Sequence, residues 1–236
     1  MPNNVLRLSE SGLISDKKGY DTGEWWVQDY SSQLPVKCLT IGQDDEILDL
    51  CAAPGGKTAQ MLALGAKVHS IDLSDKRIIR FKENMRRLKF NPVIDNADIL
   101  TYKTEKKWQK ILLDVPCSST GTIRKNPDIL YSKNETSVSN LVNLQTRLLE
   151  KSWSLLGKNR HLIYCNCSLE VEEGEMQIIN FLKHHGDCQI DKISSNLIED
   201  IQDSVTEEGW LRILPSGKKG VKNRDGFFIA RLKKIS

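Results

Sequence analysis

The sequence predicts an α/β fold: a doubly wound, mostly parallel seven-stranded sheet with an antiparallel C-terminal hairpin. Three observations carry this. From Glu46 onward, short apolar runs alternate with segments of helical period, the signature of consecutive βαβ units. The first run breaks at Pro54, Gly55 and Gly56, a tight strand-to-helix turn. Two further strand-like runs, 210–214 and 226–232, close the chain around a basic loop.

Taken in order, residues 1–23 are polar and interrupted by Gly12, Gly19 and Gly23, an irregular lead-in. Residues 25–39 read as a short strand and a helix that pack on the main domain, so 1–40 is set apart from a domain at 41–236. Glu46-Ile-Leu-Asp-Leu-Cys51 is the first buried strand. The second is 67–71, followed by Ser74 as N-cap of a helix on which Ile78, Phe81, Met85 and Leu88 recur at helical spacing. The third is 93–96 and the fourth 110–114, stopped by Pro116. Residues 138–156 are helical through Leu141, Gln145, Leu148, Ser152 and Leu155. The fifth strand is 161–165, and 169–184 reads as another helix.

Composition excludes several classes. The chain has 236 residues, 39% hydrophobic and 28% charged, which is ordinary globular usage. No apolar run is long enough to span a membrane, and residues 1–10 lack the apolar stretch of a signal peptide. A cytoplasmic, monomeric protein is expected. The net charge is +3, from 34 basic and 31 acidic side chains. That balance neither demands nor excludes nucleic acid. Basic residues do cluster: Lys76, Arg77, Arg80, Lys82, Arg86 and Arg87 on one helix, Arg124 and Lys125 further on, and Lys218, Lys219 and Lys222 near the end. Such clusters can neutralise phosphates, or simply be solvated faces. Six cysteines contain no C-x-x-C pair, so neither a disulfide framework nor a metal site is expected. They are buried apolar residues or reactive ones.

In a parallel sheet of this kind, ligands bind beyond the carboxyl ends of the strands. The residues there become the candidates. Cys51, Ala52, Ala53, Pro54, Gly55, Gly56 and Lys57 form a small-residue turn that lets the backbone approach a ligand and opens a helix N-terminus toward it. Gly56-Lys57-Thr58 resembles the end of a phosphate loop, but Cys51 stands where that loop's first glycine would be. Asp72, ending the second strand, suits a ribose diol, with Arg77 on the helix that follows. Asp98, after the third strand, could accept from an adenine amino group. Each aspartate taken alone reads first as an N-cap or Asx-turn residue. Placed together without a phosphate cradle, they favour S-adenosylmethionine, with S-adenosylhomocysteine as product.

Asp114-Val-Pro-Cys117 and Tyr164-Cys-Asn-Cys167 each put a cysteine just past a strand end. Ordinary buried thiols would do the same. Carbon 5 of a pyrimidine, however, is not nucleophilic by itself. A thiolate adding to carbon 6 makes it enamine-like, and carbon 5 can then attack a sulfonium methyl group. A carboxyl group at ring nitrogen 3 would stabilise the adduct, and Asp114 is placed for that with a pKa raised by burial. The thiol would need a lowered pKa.

The ordered segments LDLCAAPGGKT, DLSDKR, NADI, LLDVPCSSTGTIRKNPDI, YCNCSLEVEEGE and DGFFIARL resemble the RNA cytosine-C5 methyltransferases, most of all the bacterial 16S rRNA enzymes of the RsmB/Sun type, from about Trp25 to Leu232. The resemblance implies a Rossmann-like S-adenosylmethionine-dependent methyltransferase domain at 41–236 acting on RNA, with 16S rRNA the first candidate. It implies that Cys51 to Lys57, Asp72, Asp98 and Asp114 line the cofactor site. It makes Cys167 the nucleophile and leaves Cys117 to assist product release, whereas DNA cytosine methyltransferases use the Pro-Cys cysteine as nucleophile. Cys165 receives no role. Arg124, Lys125 and Asn126 lie close enough in sequence to Cys117 to reach the target nucleotide. A stacked base is out of reach, so the cytosine must be flipped or single-stranded.

The chain departs from the family pattern at Asn166, where Thr is usual, at Lys158-Asn159-Arg160, where a glycine pair is usual, and at Gly174, where Asn is usual. Family members of this type open with a helical RNA-binding domain, while Met1 here stands just before the catalytic segment. Either that domain is left off or specificity comes from elsewhere. Competing readings are methylation of another RNA, a cofactor- or RNA-binding module without turnover, and a DNA or small-molecule methyltransferase. Cys167 beside Cys117 argues against the last.

Overall fold

The computed structural model describes Leu6, residues 12–215 and residues 224–235. The expected sequence 216–223, with Lys218, Lys219 and Lys222, lies outside the described residues. The strands are β1 (Glu46–Leu50), β2 (Lys67–Asp72), β3 (Val93–Asn96), β4 (Trp108–Asp114), β5 (Leu156–Asn166), β6 (Cys188–Ile190), β7 (Leu211–Ile213) and β8 (Phe227–Lys234). The helices are α1 (Tyr30–Cys38), α2 (Gly56–Ala63), α3 (Asp75–Arg87), α4 (Ile129–Ser132), α5 (Glu135–Leu155) and α6 (Glu175–His184).

The sheet has eight strands, with the order β3-β2-β1-β4-β5-β8-β6 and β7 paired to β8 beside that path. β1 to β5 run parallel, and β8 is antiparallel to β5, β6 and β7. The sequence reading counted seven strands. It missed β6, whose three residues are too few to show a period-two pattern. It also treated the last strands as a plain hairpin. β8 in fact enters the sheet between β5 and β6, because its long apolar run is buried on both faces.

β1, β2, β4, β5 and β8 each feed two cores. Leu48, Leu50, Ile111, Leu113, Leu162, Tyr164 and Phe228 pack on Leu148 and Trp153 of α5 and Ile178 and Phe181 of α6. Their neighbours Ile47, Leu112, Ile163 and Ile229 face the other way, onto Tyr30, Leu34 and Val36 of α1 and Met61 of α2. Alternation between two covered faces explains why these strands read as continuous apolar runs.

Two further boundaries differ from expectation. No strand forms at residues 25–29: the indole N–H groups of Trp25 and Trp26 are drawn instead to the Lys18 carbonyl and Gln28 Oε1. α1 starts where Asp29 caps the Ser31 amide at 2.9 Å. Arg87, counted among the basic surface of α3, donates to the carbonyls of Tyr20 at 2.7 Å and Trp25 at 3.0 Å, and lies over the Tyr20 ring. It anchors the lead-in. The helix expected at 169–184 begins only at Glu175. Residues before it turn instead, and this turn carries a buried carboxylate into the site.

Candidate active site

The carboxyl ends of β1, β2, β4 and β5 converge on one edge, where their loops meet. The loop after β1 is held in an unusual backbone course: Cys51 has φ 59, the Ala53–Pro54 peptide is cis, and Gly55 has φ 99. A β-carbon on Gly55 would meet Phe81 Cδ2 and Met85 Cε at 2.9 Å. Only glycine allows the turn to sit this close to α3. Asp72 is buried at 2% exposure and spends its carboxylate on local amides, Ala53 at 3.0 Å and Ser74 at 3.0 Å. Arg77 donates to the Ala53 carbonyl and stands 3.5 Å from Asp72. Asp98 accepts from the Leu100 amide at 2.9 Å, an Asx turn, and is half-buried.

Lys57, in the first turn of α2, pairs with Asp114 at 2.7 Å. Burial opposes the ammonium, but Asp114 and then Cys165 hold its pKa above the ordinary lysine value. Asp114 was expected as a hydrogen-bond donor; the sequence did not show that it would carry a cationic partner. Its other oxygen accepts from the Cys165 thiol at 3.5 Å. Burial pushes the thiols of Cys165 and Cys51 up. Behind the loop, Thr58 donates to Asp49 at 2.5 Å, while Asp49 Oδ1 has no partner. Burial raises the Asp49 carboxyl to about 7.

The two strand-end cysteines meet. Cys117 Sγ lies 3.5 Å from Cys167 Sγ, and both are free thiols. They titrate in opposite directions. The hydrogen bond to Cys167, then burial, drives Cys117 up; that same hydrogen bond draws Cys167 below the ordinary thiol value against its own burial. The pair's first ionisation therefore falls on Cys167, with Cys117 as the thiol that donates to it. Ser119, in the left-handed region at φ 62, brings its hydroxyl to 3.5 Å from Cys167 Sγ. Gly121 links the loops: its amide donates to the Cys167 carbonyl at 2.9 Å, and its carbonyl accepts from Gly226 at 2.8 Å.

Sequence reasoning missed Glu173. It is fully buried, and its carboxylate accepts from the Ser118 amide and hydroxyl and from Gln145 Nε2 at 2.8 Å. The acidic run 172–175 was the available signal. Helical periodicity obscured it. Asn166, the departure beside Cys167, bridges the Glu173 carbonyl at 2.7 Å and the Ser168 amide at 3.0 Å. Gly174 is explained by Arg212: a β-carbon there would stand 2.4 Å from the guanidinium that pairs with Glu175. Asn159 occupies a left-handed position, φ 56, which accounts for a residue tolerant of that region in place of glycine.

The expected RNA-contact residues are engaged within the protein. Arg124 lies 3.2 Å from Asp225 and 3.5 Å from Asp29, and Lys125 lies 2.7 and 2.8 Å from the same carboxylates. Asn126 donates to Thr122 at 3.0 Å. A cleft of about 560 Å³ opens between Thr120, α4, α5 and residues 170–172, but Glu135, Glu170 and Glu172 line it against one Lys133. That charge balance does not favour phosphate. Among the described residues no cluster of His, Cys, Asp and Glu could hold a metal ion, and no helix is long and apolar enough to cross a membrane.

A family model described as 16S rRNA methyltransferase RsmB/F matches residues 36–233. The chain belongs to that family. Family relatives include Ribosomal RNA small subunit methyltransferase B of Yersinia enterocolitica, 34% identical over 97% of this chain and 51% of the relative, and that of Photorhabdus laumondii, 37% identical over 98% and 52%. The chain thus spans about half the length of the curated relatives it matches. Among solved structures, PH0851 is 29% identical with a TM-score of 0.86, covering 95% of this chain and 50% of that one. NSun6 from Pyrococcus horikoshii, solved with SFG, is 25% identical with a TM-score of 0.82, covering 96% and 57%. The doubly wound sheet with its antiparallel C-terminal strands is the methyltransferase architecture these neighbours share.

Proposed function

We propose that this chain transfers a methyl group from S-adenosylmethionine to carbon 5 of a cytosine in RNA, with 16S rRNA as substrate, through a covalent adduct of Cys167. The observation that carries the reading is the thiol pair, Cys117 at 3.5 Å from Cys167, with opposed titration. A methyltransferase acting on an already nucleophilic atom needs no such pair. The names of the rRNA methyltransferase relatives support RNA as substrate, and the relative solved with SFG, an analogue of S-adenosylmethionine, supports the cofactor.

The residues present fit that cofactor. The turn 51–57 opens onto the N-terminus of α2, whose first amides have no partner within the helix. Asp72 and Asp98 stand at the ends of β2 and β3, where a ribose and an adenine are read in such sheets. Arg77 braces the turn rather than projecting freely. When bound, S-adenosylmethionine supplies an electrophilic methyl group for carbon 5.

The chain's own residues do the rest. The Cys167 thiolate adds to carbon 6 of the flipped cytosine. Asp114 and Lys57 would face ring nitrogen 3 as a pair, the ammonium keeping its proton and offering it to that nitrogen as a hydrogen bond while the adduct stands. After methylation a base removes the carbon-5 proton, the carbon–sulfur bond breaks, and Cys167 leaves as thiolate. Cys117, holding the proton, stabilises that leaving thiolate by hydrogen bond. Arg124 and Lys125 reach an RNA phosphate only by exchanging Asp29 and Asp225 for it.

The test is methyl transfer from labelled S-adenosylmethionine to unmethylated 16S rRNA, with gels read for protein–RNA adducts. Cys167→Ala is expected to abolish transfer and adduct, and Cys117→Ala to accumulate the adduct. Adduct formation by Cys167→Ala would refute the assignment. Cofactor binding by wild type without transfer to any RNA, with or without the N-terminal half of a longer relative, would favour a binding module.

A further inference from the structure

Glu173 has no part in the steps above, yet it sits where both cysteine loops meet. Its carboxylate takes the amide and hydroxyl of Ser118, the residue after Cys117. Gln145, which donates to that same carboxylate at 2.8 Å, also holds the carbonyl of Pro116, the residue before Cys117, at 2.9 Å. The Cys117 loop is thus pinned on both sides. The Glu173 carbonyl accepts from Asn166, the residue before Cys167, at 2.7 Å, and from the Tyr164 hydroxyl at 2.7 Å. Ser168, the residue after Cys167, lies 3.0 Å from the Ser118 hydroxyl. One residue therefore gathers the neighbours of both sulfurs. A buried carboxylate needs such donors in full, because an unmet partner on either side costs far more than the bond contributes.

We infer that Glu173 is a positioning residue for the two-thiol step: it ties the loop after β4 to the loop after β5 and sets the 3.5 Å approach of Cys117 to Cys167. This rests on the reading that Cys167 adds to the base and Cys117 assists its release. Glu173 touches neither sulfur and acts through Ser118 and Asn166. Replacing it by Gln keeps the shape but turns one acceptor end into a donor: in the Oε1 place it faces the Ser118 amide and Gln145, and in the Oε2 place it forces the Ser118 hydroxyl to reverse and give up its present role.

The thiol contact has a probe independent of RNA. Phenylarsine oxide condenses with two adjacent thiols, forming two arsenic–sulfur bonds and releasing one water. Cys38, Cys165 and Cys188 are buried; Cys51 is partly exposed, but the two thiols in contact at 3.5 Å are Cys117 and Cys167, so they are the pair to be bridged, and Cys117→Ala is the control. Intact-mass titration of the whole chain is expected to show capture by wild type, at least about tenfold weaker capture by Glu173→Gln from one or more unmet buried donors, and an intermediate loss in Ser118→Ala. With RNA and cofactor, both variants are expected to shift the ratio of trapped adduct to methylated product. Where Glu173→Gln does not fold, Ser118→Ala decides, since it removes one tie and leaves the Ser118 amide and Gln145 on the carboxylate. Wild-type capture and adduct ratio in a folded variant overturn the inference, as does a lower melting temperature with the ratio unmoved. Failure of wild type to form any RNA adduct sinks the methyltransfer reading instead, and the arsenical titration still judges Glu173.

Discussion

Asp49→Asn should make the protein more stable in a pH-dependent way. Asp49 is fully buried in the middle of β1, with one oxygen held by Thr58 at 2.5 Å and the other without a partner. Burial, against the pull of Thr58 and Lys57, raises its carboxyl from 3.8 to about 7. The folded chain keeps a proton that the unfolded chain gives up. Its contribution to stability is therefore fully present below about 4 and is lost as pH rises through about 7. Each pKa unit corresponds to about 1.4 kcal/mol, so a shift of this size is worth on the order of 4 kcal/mol at the upper limit. An asparagine carries no charge at any pH and can still accept from Thr58. Urea unfolding of wild type and variant between pH 4 and 8.5 should give curves that nearly coincide at the acid end. They should separate in favour of the variant by about 1–4 kcal/mol at the alkaline end. A difference that is flat across pH, or one that grows toward acid, would refute the argument that desolvation governs this carboxylate.

Gly121→Ala should be the most damaging small substitution near the site. Its β-carbon would stand 2.3 Å from the Gly226 carbonyl oxygen and 2.7 Å from that of Cys167. Both are backbone atoms, so about 2–4 kcal/mol of overpacking and disturbed hydrogen bonds should appear as a melting point lowered by roughly 5–15 °C; a change of a degree or less contradicts the geometry. Arg124→Ala should change the salt dependence of RNA binding by less than a third of the ~0.9 slope of one phosphate contact. Its charge is already met by Asp225 and Asp29, and a full unit of slope would mean that those carboxylates yield to RNA. Cys117→Ala should raise the pH at which Cys167 is alkylated by iodoacetamide, because the Cys167 thiolate is stabilised first by the Cys117 hydrogen bond and alanine removes that donor. Alkylation profiles that superimpose would show that another group depresses Cys167.

What the sequence revealed and what it concealed divide along a physical line. Strands buried on both faces read as apolar runs, so Ile47, Leu48 and Leu50, or Ile111, Leu112 and Leu113, announce themselves. The strand-end rule then selects one edge of the sheet, and Cys117 and Cys167 fall on it because β4 and β5 are neighbours. The rule names an edge but not the contacts within it. Lys125 meets Asp29 and Asp225 across 96 and 100 residues of chain, and nothing local in a Thr-Ile-Arg-Lys segment tells a phosphate ligand from half of an ion pair. Glu173 was hidden for the opposite reason. Its surroundings are locally helical in pattern, and only Gly174, at φ −112 and ψ −98, breaks the helix early enough to turn the carboxylate inward. Arg212 and Phe228 crowd the space where a β-carbon on that glycine would lie, so a larger residue there has to displace the guanidinium. The departures at Asn166 and Gly174 are thus one packing solution around Glu173 and Arg212. It follows that a larger residue at 174 alone should lower the melting temperature, unless Arg212 is shortened in the same chain to make room for it.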